Sequence, residues 1–117
     1  MRTGFVHAAE LELDAGADER APGGAVTVAL CGHWEHEGPC RWPHHTAVET
    51  RSGSTIRLRT VFVADPGDEQ PVRTLIMAAL SAGGLDTEMG AGRWRVVSQG
   101  PADLDPAETG LAERLAR

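Results

Sequence analysis

The sequence predicts an α+β fold: a mostly antiparallel sheet of about five strands, with one main helix and a short C-terminal helix packed on one face. Three observations carry this reading. Residues Gly4 to Leu13 alternate between apolar and polar, two β-rich runs flank Ser52-Gly53-Ser54, and one stretch between Val72 and Leu80 has apolar residues at helical spacing. Adjacent strands with few helices between them favour antiparallel pairing, with the helices gathered to one side.

Taken in chain order, Phe5, His7, Ala9, Leu11 and Leu13 share one face of the first strand, opposite Glu10 and Glu12. AGADERAPGG reads as a loop, and AVTVALC, which is apolar and β-branched, as a second strand. TAVETR and TIRLRTVFVAD read as two strands joined by a short glycine-containing hairpin. DPGDEQP then stops the sheet. It opens the main helix, with Asp68 as cap, Pro71 in the first turn, and Val72, Leu75, Ile76, Ala79 and Leu80 at helical spacing, up to Gly83 and Gly84. Arg93 to Gln99 makes a fifth strand. Asp105, Pro106 and Glu108 are spaced as a capping box opening a helix that carries Leu111 and Leu115.

The 117 residues are one domain's worth, so positions 1–117 read as a single α+β domain with a Cys/His-rich loop at 31–46. A net charge of −6 supplies no general basic surface, which argues against nucleic acid as a partner. No apolar run approaches the roughly 20 residues of a membrane span, and acidic residues interrupt the N-terminal stretch where a signal peptide needs an apolar core. The expectation is a cytoplasmic protein that does not enter membranes. In a reducing compartment two cysteines are thiols or thiolate ligands more often than a disulfide.

The segment CGHWEHEGPCRWPHHT, Cys31 to Thr46, holds both cysteines, four of the five histidines and two of the three tryptophans. Thiolate and imidazole donors at this density suggest a tetrahedral metal site built from Cys31, His33, Cys40 and His44, with His45 or His36 as substitutes. Such donors favour Zn, with Cu second. C-x8-C matches no usual zinc-finger spacing, so the signal is density and not pattern; the competing reading is Cys31 as a small buried hydrophobe with histidines facing water, and a Cys31–Cys40 disulfide or redox pair is a lesser one. The resulting expectation is a small metal-binding accessory or interaction module. The alternative is a metal-dependent enzyme on a small anionic substrate, with a metal-bound water and Glu35 or Glu37 as acid/base.

Trp34 and Trp42 flank the donors and read as loop packing or as walls for a ligand. Arg57 and Arg59 share one strand face and, were that strand to lie against AVTVALC, would fall beside the donors, where they would hold a carboxylate or phosphate. An exposed edge on a small sheet makes a homodimer a further expectation. His7 lies on an apolar strand face and reads as a satisfied core histidine.

Overall fold

The computed structural model describes residues 2–31, 42–87 and 90–116. Five strands and three helices follow in the order β1 (Thr3–Leu13), α1 (Ala21–Cys31), β2 (His44–Ser52), β3 (Thr55–Ala64), α2 (Glu69–Ser81), β4 (Gly84–Thr87), β5 (Gly90–Ala102) and α3 (Pro106–Leu115). The strands form one sheet in the order β2-β3-β1-β5-β4, with every neighbouring pair antiparallel. β1 and β2 are both antiparallel to β3 and therefore parallel to each other with β3 between them. β3 and β5 stand in the same relation across β1. The α1 crossover thus skips one strand, while α2 carries the chain from β3 past β1 and β5 to β4, from which β5 returns between β4 and β1, giving an interleaved β-α-β-β-α-β arrangement with β4 inserted after α2 and α3 appended.

The α+β class and the antiparallel sheet agree with the sequence reading, but one of the five strands is a different one. AVTVALC is the body of α1 and not a strand, and the short β4 was not anticipated. The physical reason is that α1 has no polar face. It touches α2, β2, β4 and β5, and none of its residues is exposed, so it is apolar all round and shows no helical period. A short apolar run carries no periodicity that separates a buried helix from a buried strand. The overlooked signal was Pro22 in the first helical turn, preceded by Asp18, whose carboxylate accepts the Arg20 amide (2.9 Å).

The alternation of β1 sorts the rest of the molecule. Ala9, Leu11 and Leu13 join Ile56, Leu58 and Phe62 of β3 and Trp94 of β5 beneath α1 and α2, forming the main core. In α2, Val72, Ile76 and Leu80 are buried at i, i+4 and i+8, each worth roughly 1.5–3 kcal/mol relative to exposure. The Trp94 indole donates to the Leu80 carbonyl (2.8 Å), satisfying an acceptor in the last turn of α2 before Gly83 (φ 75°) breaks the helix. On the other face Val6 and Val61 pack with Ala112 of α3. There α3 lies so close that a Cβ on Gly4 would come within 2.8 Å of the Ala112 Cβ. Two helices therefore cover one face, and the C-terminal helix covers part of the other.

The turns bear out the remaining local expectations, with one exception. Ser52 pairs with Thr55, leaving Gly53 (φ 61°) as the first of two loop residues, the position where a tight hairpin needs a positive φ. Glu108 reaches back to accept the Asp105 amide (2.9 Å), the return half of the capping box. Asp68, in contrast, makes no side-chain cap, because a 3-10 turn over Pro66–Asp68 runs straight into α2.

Candidate functional site

A helix is about 10 Å wide and strands lie about 4.8 Å apart, so two helices cover roughly four strands of a five-stranded sheet. The strand left over is β2, and a groove of about 530 Å³ opens between it and α1. Thr46, Val48 and Leu58 line its sheet side, and Gly23, Gly24 and Thr27 its helix side. Glu19 and Arg20 lie at one end of α1, with His44 and His45 on β2. The volume lies within the range of small-molecule sites. Gly23 makes the groove this deep: a Cβ there would project toward Thr46 and sit 3.4 Å from its Cγ2.

The polar groups of the groove are ordered. The half-buried His44 contacts the Trp42 carbonyl through Nδ1 (3.1 Å) and Thr27 Oγ1 through Nε2 (3.3 Å). A carbonyl only accepts, so Nδ1 carries a proton. Thr27 Oγ1 also lies 3.1 Å from the Gly23 carbonyl, placing its hydroxyl proton between two acceptors whenever Nε2 is unprotonated. Thr46 and Thr60 share a hydroxyl hydrogen bond of 2.9 Å across β2 and β3. At the α1 end, the Arg20 guanidinium binds Asp18 (2.8 Å), and this hydrogen bond, with that of the Arg20 amide, holds the Asp18 carboxyl at about 2. Arg20 is thereby neutralised, Glu19 lies 3.9 Å from Arg51, and the groove offers no net positive charge to an anion.

The metal-binding reading is corrected here. Among the described residues no three His, Cys, Asp or Glu side chains form a group that could hold an ion. Cys31 is disulfide-bonded, so its sulfur is not the thiolate such a site needs. The Cys31 sulfur and His44 Nδ1 do approach to 4.0 Å, yet both His44 nitrogens are directed at Thr27 and a backbone carbonyl. The zinc module and the metal-dependent enzyme fall with this arrangement. His33, Trp34, Glu35, His36, Glu37 and Cys40 lie outside the described residues, as does residue 41.

The other candidates are separated by the sheet itself. His44 and His45 line the groove, with His45 exposed, and Trp42 packs against the main core. Arg57 and Arg59 lie on the opposite face from His44, because the segment expected to pair beside them is a helix. Arg57 stands across from Glu10 in the β1–β3 register, and Arg59 is clamped by Glu108 of α3 (2.9 and 2.7 Å). Thr27 and Gly23 were hidden by the strand assignment. Arg73, which no local pattern singles out, is 4% exposed, and only tertiary contacts show its burial.

No family model, curated protein or solved structure matches this chain. No helix among the described residues is long and apolar enough to cross a membrane.

Proposed function

We propose that the chain is a binding module for a compact, uncharged amphiphile held in the groove between α1 and β2. The observation that carries this reading is the groove's construction, an apolar floor at Val48 and Leu58 opened by Gly23 and flanked by the ordered Thr27–His44 pair. An apolar body over Val48 and Leu58 gains from leaving water, and a hydroxyl or amide on the same molecule finds donors and acceptors at Thr27, Thr46 and His44. A neutral ligand suits a site where Arg20 is already paired and Glu19 faces the opening.

The reading is tested by titrating isotope-labelled protein with aromatic alcohols and amides such as benzyl alcohol and benzamide, recording amide shifts. Shifts should cluster at Gly23, Thr27, Thr46 and Val48. Gly23→Leu fills the groove while removing a helix-interior glycine, so it should abolish these shifts with folding intact or improved by up to about 1 kcal/mol. Shifts scattered over the surface, or shifts that survive in Gly23→Leu, would overturn the proposal.

A further inference from the structure

The inner face carries a polar chain, buried at its centre and open at both ends, that the groove does not use. It runs Glu69, Arg73, His7, Gln99, Ser81. Arg73 Nε donates to Glu69 (2.8 Å), and Arg73 Nη1 donates to the Val6 carbonyl (2.8 Å) and faces His7 Nδ1 (3.3 Å). His7 Nε2 meets Gln99 Oε1 (3.0 Å), and Gln99 Nε2 meets Ser81 Oγ (3.3 Å). His7 and Arg73 are 2% and 4% exposed. The phenyl rings of Phe5 and Phe62 stand 6.0 and 5.3 Å from the guanidinium.

Guanidinium can only donate, so His7 Nδ1 must be an unprotonated acceptor, and Nε2 must hold the proton it gives to Gln99. The contact exists for one tautomer of the neutral ring. An imidazolium would aim an N–H at an N–H and set two cations side by side in a site closed to bulk water. We infer that His7 and Arg73 form an acid-sensitive latch between β1 and α2, closed while the imidazole is neutral and released when it gains a proton.

The neighbours of His7 support this. β3 presents Thr60 opposite it, β5 presents Gln99 and Pro101, and α2 presents Arg73 with Glu69 behind it. Of these, Arg73 and Glu69 carry charge. Glu69 is bound to the far side of the guanidinium and does not reach the ring. Burial lowers the affinity of His7 for a proton, the Gln99 bond raises it, and Arg73 lowers it further, for a net decrease from the usual 6.5. A cavity of about 400 Å³ lined by Phe5, Glu69 and Arg73 gives water a route to the pair once α2 lifts.

The test is amide hydrogen exchange on the full chain near pH 7.5 and near pH 5, corrected for intrinsic rates, together with the ring-nitrogen shifts of His7. Acidification should lower the protection of α2 amides at least about tenfold while α3 amides hold theirs, with the loss following the His7 titration. The ring at the higher pH should show the neutral Nε2–H form. His7→Gln, which has no proton to gain, should flatten the response. Where that variant fails to fold, the ring titration of the unaltered protein decides alone. A His7 that titrates without change in α2, α2 and α3 lost together, or an unchanged pH response in His7→Gln would overturn the latch.

Discussion

On the inner face of the sheet Arg73 is buried over the adjacent phenyl rings of Phe5 and Phe62, with a carboxylate, a carbonyl and an imidazole as its partners. On the outer face Arg59 stands at the rim of α3, held by Glu108 at two points and by the Asp103 carbonyl (2.7 Å), with Glu49 and Asp105 just beyond. Both arginines tie a helix to the sheet. They differ in what is left behind when the tie is cut. Removing Arg73 strands an acceptor on Val6 and a ring nitrogen on His7 away from water, whereas of the partners of Arg59 the Glu49 and Asp105 carboxylates are about half exposed and Glu108 keeps the Asp105 amide. Arg73→Met, close in length and apolar, should therefore be the most damaging of the changes considered, at about 2–4 kcal/mol by chemical denaturation. A loss under 1 kcal/mol would mean that the inner face tolerates open polar groups.

The same contrast explains how far the sequence could be read. The outer face follows short-range rules: the alternation of β1, the β2–β3 hairpin and the Asp105–Glu108 box are local patterns, and each stands where expected. The inner face is set by what surrounds each segment. α1 lost its helical signature because the sheet and α2 enclose it, and β4, four residues long, exists because β5 offers it an edge. The groove was illegible for the same reason, since Gly23 and Thr27 meet His44 only when 21–31 is a helix. Of the Cys- and His-rich stretch, His44 and His45 line the groove. That stretch suggested a metal because composition records which donors are close in sequence and not where their lone pairs point.

Arg59→Ala should cost about 1 kcal/mol, less than Arg73→Met, because Glu49 and Asp105 already meet water and Glu108 retains the Asp105 amide as a partner. The acid limb of stability distinguishes the faces more finely. The Arg59 hydrogen bonds hold the Glu108 carboxyl below its ordinary range against the opposing effect of burial. A depressed carboxylate contributes stability that is complete above the unfolded value and is lost as pH falls through the folded one, well into the acid range. His7 is also depressed, but its loss starts just below 6.5, where the unfolded chain takes up a proton first. Denaturation midpoints measured against pH should thus fall in two stages. Arg59→Ala should remove part of the lower stage and leave the upper untouched; one merged transition in both proteins would deny that the faces act separately.

The smallest effect should come from a pair whose distance equals that of the half-buried Arg73–Glu69 pair. Arg95 and Glu12 meet on the outer face at 2.8 Å, the separation of Arg73 and Glu69 on the inner. Arg95 is 71% exposed and Glu12 46%, so the charges interact through water and two long side chains give up freedom to hold one geometry. A double-mutant cycle of Arg95→Gln and Glu12→Gln should return about 0.2–0.5 kcal/mol, falling toward zero near 1 M salt, where the screening length is about 3 Å. A coupling above about 1 kcal/mol, or one indifferent to salt, would show this part of the sheet to be shielded from solvent. Equal separation with unequal coupling would place the difference between the two faces in desolvation and not in geometry, since Arg73 is 5% exposed where Arg95 is 71% exposed and a 2.8 Å contact strengthens as its partners lose access to water.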